Sequence, residues 1–162
     1  MSTVLTPRRT DAPSSVPAST DLAPWPLRGT PLRSAWRLPA ALGAITEAAG
    51  HIPVTQMHLA EAPYIGVGFV LLTVAGFVLA HMLLSADTTA VWAWTGIVAV
   101  LALLGYLLSR TIGLPQIRDD IGNWGEPLGV VCVVAEAVML AATVAHFITR
   151  APSARLHDTT HP

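Results

Sequence analysis

Imidazole and carboxylate side chains gather in two short polar segments of a chain that is otherwise strongly apolar. The first segment follows residue 50 and carries both kinds of group, whereas the second, residues 109–127, carries three carboxylates. Imidazole nitrogen is a ligand for zinc, copper, iron and nickel, and carboxylates add the negative charge that neutralises a divalent ion. We therefore expect a site for copper or zinc. Its six candidate ligands are His51, His58, Glu61, Asp119, Asp120 and Glu126.

A structural role for the same carboxylates is the alternative. Glu61 and Glu126 each stand just before a proline that can open a helix, where the helix dipole favours negative charge. Arg110 and Arg118 are near enough in sequence to form ion pairs with the acidic residues. The spacing alone leaves helix caps, ion pairs and a metal site all open.

Two further carboxylates fall within apolar segments. Glu136 lies near the middle of its segment, where a carboxylate is costly and is by default functional. It needs a proton or a partner, and Glu47, which forms an i, i+4 pair with His51, is one candidate among several. The functional interpretation is a proton or cation relay, and the structural one is a protonated Glu136 that forms a hydrogen bond between helices.

Haem is the other cofactor that the histidines could bind. His81 and His146 lie near the ends of two apolar segments, and these two ends share one membrane face. Ligation of a haem by both histidines is therefore geometrically feasible. Histidines near the ends of spans are more often interfacial. We expect His81 and His146 to be interfacial, which disfavours haem.

The elements that must position these residues are membrane helices. The chain has 162 residues, of which 52% are hydrophobic and 12% charged, against about 25% charged in ordinary soluble domains. Long apolar segments of about 20 residues can each cross a bilayer as a helix. We predict an all-α integral membrane protein, a compact bundle of four helices whose first helix is short. The predicted spans are residues 38–54, 64–84, 90–109 and 127–148.

The distribution of arginine favours four spans over three. With four spans, the arginines before the first span and after the last share one face, which is then the cytoplasmic face. Both termini are thus predicted to be cytoplasmic in the cell membrane, and the alternative is an interfacial or re-entrant first helix. In either arrangement residues 55–63 and 110–126 must meet at the same face. The four-span arrangement makes that face extracytoplasmic.

The domain organisation follows from composition. Residues 1–36 are rich in Pro, Ser and Thr and lack a periodic apolar pattern, which predicts a disordered tail without a cleavable signal peptide. Residues 37–149 form the transmembrane domain, and residues 150–162 a polar C-terminal tail.

Composition and spacing also narrow the function. A net charge of -1 gives no basic surface for nucleic acid, and no nucleophile lies beside a base, so we expect no enzymatic activity. The leading hypothesis is a bacterial membrane protein that binds copper or zinc at its extracytoplasmic face. The first alternative is a structural or accessory subunit of a larger membrane complex, and the second is proton or ion transport through Glu136. The expected partners are the lipid bilayer and either a membrane-complex partner or a second copy of the chain.

Three stretches also carry a resemblance. They read HLAEAPYIG at residues 58–66, SRTIGLP at residues 109–115 and EPLG at residues 126–129. In these stretches the chain resembles small four-span integral membrane proteins of GC-rich Gram-positive bacteria. The likeness covers about residues 36–148; it implies a four-helix topology and that the polar segments belong together, and it carries no catalytic residues.

Overall fold

The architecture is all-helical throughout the described part of the chain. The structure is a computed structural model that describes residues 33–155. It contains α1 (Arg37–Glu61), α2 (Pro63–Ser85), α3 (Thr89–Thr111) and α4 (Pro127–Arg155). The prediction of an all-α fold is confirmed. The predicted disordered tail lies outside the described residues except for its last four.

Three of the helices are long and apolar enough to cross a membrane. They are α2, α3 and the Pro127–Arg150 part of α4, with 23, 23 and 24 residues and mean hydropathies of 2.3, 2.0 and 2.3. Large apolar side chains cover their outer surfaces, as lipid-facing helices require; examples are Leu71, Leu101 and Ile148. These helices place the chain in the class of membrane proteins.

Helix α1 is less apolar than the others and longer than predicted. Instead of ending at Val54 it continues through Pro53 to Glu61, so residues 55–61 are helical rather than a connection. Proline has no N–H to donate to the carbonyl four residues earlier, which usually weakens a helix. Here α1 packs against both α2 and α4, and its buried residues lie between Ala40 and His51, just before the proline.

Small residues bring α1 close to both of its neighbours. A Cβ atom added at Gly43 of α1 would lie 2.8 Å from the carbonyl oxygen of Ala135 in α4. One added at Gly76 of α2 would lie 2.7 Å from the carbonyl oxygen of Ala44 in α1. The backbones therefore approach closely, and α1 lies between α2 and α4 while α3 packs chiefly against α4.

The buried side chain of Asp87 joins the helices at the end of the bundle where α1 begins. Asp87, in the turn between α2 and α3, accepts hydrogen bonds from Trp92 Nε1 (2.5 Å) and from the backbone N–H of Ser34 (2.6 Å). The His146 ring stacks on the Trp92 indole at 4.1 Å and is 1% exposed. The expectation of an interfacial His146 is therefore wrong, because its ring belongs to the core, whereas His81 is exposed.

Candidate functional site

The two polar segments meet at the other end of the bundle, where α1 and α3 end and α2 and α4 begin. The Tyr64 hydroxyl, in the first turn of α2, donates a hydrogen bond to the carbonyl of Pro115 at 2.7 Å. The loop between α3 and α4 folds back on α3, because the Gly122 N–H donates to the carbonyl of Arg110 at 2.9 Å. His58 and Glu61 also line the same cavity as Asp120, which confirms the predicted meeting of residues 55–63 with residues 110–126.

A cavity of about 570 Å³ opens at this end between the four helices and the α3–α4 loop. Its walls are mostly apolar, and its polar groups come from α1, α3, α4 and the loop. All six candidate ligands line it, together with the intramembrane Glu136. These residues are His51, His58, Glu61, Asp119, Asp120, Glu126 and Glu136.

Two of the four acidic candidates have structural partners. Arg110 is 7% exposed and forms ion pairs with Asp120 (2.7 Å) and Glu126 (3.8 Å), and its guanidinium lies 5.0 Å from the centroid of the Tyr106 ring. Glu126 also accepts hydrogen bonds from backbone N–H groups in the first turn of α4, including that of Gly129 at 2.5 Å. These contacts match the structural interpretation of the acidic residues, with Arg110 shared between the two carboxylates.

The other acidic candidates line the cavity without a helix-capping role in the described structure. Glu61 is the last residue of α1 and is exposed, and Ala62, which follows it, is the N-cap of α2. A carboxylate at the C-terminal end of a helix is disfavoured by the dipole of that helix. Asp119 is also exposed at the cavity. Both carboxylates therefore add negative charge to the cavity mouth.

The tightest grouping of ligand atoms lies deeper in the bundle. One side-chain ligand atom from each of Glu47, His51 and Glu136 lies within 4.8 Å of the other two. These side chains belong to residues that are 0%, 7% and 2% exposed, respectively. We call this group the inner centre. Among the described residues, no other group of three or more His, Cys, Asp or Glu side chains has ligand atoms close enough together to hold a metal ion.

The carboxylates of the inner centre are short of hydrogen-bond donors. Among the described residues, neither side-chain oxygen of Glu47 has a hydrogen-bond partner, and Oε2 of Glu136 has none either. The His51 ring nitrogen Nδ1 lies 3.9 Å from Glu47 Oε1. Buried polar atoms are almost always satisfied in native proteins. The unpartnered oxygens therefore point to a proton or a cation as the missing partner.

Both histidines of α1 hold the same ring nitrogen in a hydrogen bond to the backbone. Nδ1–H of His51 donates to the backbone carbonyl of Glu47 at 2.9 Å, and Nδ1–H of His58 donates to that of Val54 at 2.8 Å. In the neutral rings this leaves the Nε2 lone pair available. Histidine ligands of metals commonly hold their other ring nitrogen in such a bond, which fixes the tautomer and the ring orientation.

The sequence identified the members of the inner centre but not their combination. The i, i+4 spacing of Glu47 and His51 and the position of Glu136 within its span were both visible signals. What the sequence lacked was the pairing of α1 with α4, which brings the two carboxylates to the same imidazole. Phe69 of α2, which contacts both His51 and His58, was missed because a phenylalanine in an apolar span carries no signal.

Comparisons with known proteins add no assignment to this geometry. No protein-family model matches the chain, and no curated protein and no solved structure matches it. The resemblance to four-span bacterial membrane proteins stays a prediction.

Proposed function

We propose that the chain is a non-enzymatic integral membrane protein that binds a divalent transition-metal ion at the inner centre. The observation that carries the proposal is the convergence of Glu47, His51 and Glu136, three buried side chains with unpartnered carboxylate oxygens. The binding site thus lies deeper than the sequence predicted. The inner centre includes His51, which was one of the predicted ligands. The cavity residues near the mouth form the route to the inner centre rather than the site itself.

Charge explains why these residues suit a divalent ion. Two carboxylates neutralise a dipositive ion, so the loaded centre carries no net charge within the apolar bundle. Imidazole with carboxylate is a donor set for Zn²⁺ and Cu²⁺, whereas Cu⁺ prefers thiolate and thioether sulfur. Three protein ligands leave a coordination position for water, and His51 and Glu136 both line the cavity from which that water would come.

The proposal includes a bundle of four spans. Helix α1 has 25 residues, so it is about 37 Å long and exceeds the roughly 30 Å hydrocarbon core. Its low hydropathy reflects side chains that face α2 and α4 instead of lipid, since Glu47 and His51 are both buried. The contact of Ser34 with Asp87 supports the same arrangement, because the residues before α1 meet the turn at the far end of α2.

We further propose that both termini are cytoplasmic. Arg33, Arg37 and Arg150 lie at the end of the bundle opposite the cavity. The cavity end carries two arginines, Arg110 and Arg118, against these three. The excess of positive charge therefore favours the end where the chain starts and finishes as the cytoplasmic one.

Metal analysis of the full chain, purified from membranes in mild detergent, tests the proposal. We expect stoichiometric zinc or copper in the wild-type protein and loss of that metal in His51→Ala and in the double variant Glu47→Gln/Glu136→Gln. The matched control is His81→Ala, which removes an exposed histidine at the other end of the bundle and should keep the metal. Absence of metal after titration with Zn²⁺ and Cu²⁺, or equal binding by all variants, would overturn the proposal.

The alternative functions predict different results for the same purified protein. An accessory subunit would co-purify with a partner protein and would be insensitive to His51→Ala. Transport through Glu136 would need access from both faces, and beyond Glu136 the bundle is closed by the fully buried Met139, Trp92 and Leu83. This one-sided access favours binding over transport. Flux of protons or metal ions into liposomes, abolished by Glu136→Gln, would reverse that preference.

A further inference from the structure

We propose that the metal ion reaches the inner centre through an outer station formed by His58 and Glu61, and that Phe69 is the barrier between the two. This inference rests on the proposed metal-binding function and adds its entry route. The outer station would hold the ion briefly at the cavity mouth. Phe69 would set the rate at which the ion passes inward and outward, without setting the affinity of the inner centre.

A single stripe of α1 carries the ligand groups of both sites except Glu136, which belongs to α4. Glu47, His51, His58 and Glu61 follow one another at spacings of four, seven and three residues, which places them on one face of a helix. Their burial falls steadily towards the mouth: Glu47 is 0% exposed, His51 is 7% exposed, His58 is half-buried and Glu61 is exposed. The stripe therefore runs from the open end of the cavity to the buried inner centre.

The outer station has suitable donors but few of them. Nδ1–H of His58 is held by the carbonyl of Val54, so Nε2 is the nitrogen available to an ion. Glu61 lies one helical turn further along the stripe and supplies a carboxylate. Zinc sites that retain the ion use three or four protein ligands. Two ligands at an exposed mouth suit capture and rapid release rather than storage.

Phe69 lies between the two imidazoles. Its ring centroid is 4.7 Å from that of His51 and 4.9 Å from that of His58, and all three side chains line the cavity. An apolar ring offers no ligand to a hydrated ion, and apolar constrictions impede ions by excluding their water. Phe69 is only half-buried, so its ring can move aside when an ion passes.

The kinetics of Co²⁺ binding, followed by stopped-flow visible absorption of the detergent-solubilised full chain, test the route. Phe69→Ala should accelerate both loading and release by about tenfold, since a barrier lowered for both directions changes both rates equally, and should leave the equilibrium dissociation constant unchanged. His58→Ala should slow loading by about tenfold while the stoichiometry at equilibrium stays that of the wild type. The matched control is Phe77→Ala, which removes an exposed ring from the same helix and should alter neither rate.

The outcomes separate the route from the function on which it rests. If the wild type binds Co²⁺ and both variants keep wild-type rates, the route is overturned and the inner centre stands. Loss of stoichiometric binding in His58→Ala would also overturn it, because His58 would then be a ligand of the centre itself. If the wild type binds neither Co²⁺ nor Zn²⁺, the proposed function and the route fail together. Should Phe69→Ala aggregate, Phe69→Leu tests the same barrier and should accelerate loading to a smaller degree.

Discussion

At the scale of single residues, the molecule keeps two carboxyl groups where an apolar side chain would be less costly. Glu47 and Glu136 are almost fully buried and have oxygens without hydrogen-bond partners among the described residues. Burying such a group reduces the free energy of unfolding unless a proton, a donor or a cation compensates. Residues of this kind often contribute to binding at the expense of stability, and the change in the free energy of unfolding when they are replaced measures that cost.

Replacing Glu47 by Met should therefore stabilise the metal-free protein and abolish its response to metal. An apolar side chain of similar length removes the unpartnered oxygens, and we expect the free energy of unfolding to rise by about 1–3 kcal/mol. Thermal unfolding in detergent, with and without Zn²⁺, checks both effects. Gln56→Met, an exposed change in the same helix, is the control and should shift neither midpoint. A lower midpoint for metal-free Glu47→Met would show that the carboxyl group is structural.

Arg110 should matter for the α3–α4 loop rather than for the inner centre. Replacing it by Gln removes the cation that pairs with Asp120 and Glu126, whose side chains are 29% and 34% exposed. Because water screens these partly exposed acids, we expect a loss of only about 1–2 kcal/mol in the free energy of unfolding. Limited proteolysis of the loop and the thermal midpoint would reveal it. Arg118→Gln, an exposed change in the same loop, serves as the comparison; equal effects of the two would contradict a specific role for Arg110.

At the scale of elements, α1 is the helix that sequence patterns described least well. Helices α2 and α3 match the predicted spans to within two residues at each end, because long apolar segments have one stable solution in a bilayer. Helix α4 begins at Pro127 as predicted but continues to Arg155, beyond the predicted end at residue 148. For α1, the sequence predicted a short span over residues 38–54, whereas the helix continues through Pro53 to Glu61 and packs against α2 and α4 through buried residues between Ala40 and His51. Those contacts depend on small residues at particular positions, and neither hydropathy nor helix propensity reports them.

Close packing around α1 predicts which glycines tolerate a methyl group. Gly43→Ala should force α1 away from α4, because the new Cβ would lie 2.8 Å from a backbone oxygen. We expect a destabilisation of about 1–3 kcal/mol and weaker metal binding, since Glu47 and Glu136 lie on the separated helices. Gly105→Ala meets no atom within 4 Å and should be neutral or stabilising by up to about 1 kcal/mol. Thermal midpoints and zinc titrations of both variants test this, and similar behaviour of the pair would rule out close packing as the cause.

At the scale of the whole molecule, topology was the feature most readily predicted. Connectivity alone requires the end of α3 and the starts of α2 and α4 to share a face, and Tyr64 does contact Pro115 there. Topology does not specify which helices are neighbours. The inner centre depends on α1 lying between α2 and α4, so its three residues were identified separately and their juxtaposition was not.

The four-span arrangement makes the last prediction, on the sidedness of the two ends of the bundle. In a Cys132→Ala background, which removes the single native thiol, cysteine is introduced at Ser34, Ser85 or Asn123 and probed with a membrane-impermeant maleimide. We expect Asn123→Cys to react in intact cells, because the proposed orientation puts the α3–α4 loop on the extracytoplasmic face. Ser34→Cys and Ser85→Cys should react only after lysis, because α1 returns the chain to the side of the α2–α3 turn.

Each other labelling pattern would contradict a different part of the proposed arrangement. Labelling of both Ser34→Cys and Asn123→Cys in intact cells, with Ser85→Cys protected, would mean that α1 does not cross. The contact between the Ser34 N–H and Asp87 argues against that result, since it joins the start of α1 to the α2–α3 turn. Labelling of Ser34→Cys and Ser85→Cys alone would keep four spans and invert the orientation. The cavity and its route to the inner centre would then open to the cytoplasm, and the ion would be drawn from the cytoplasmic pool instead of from outside the cell.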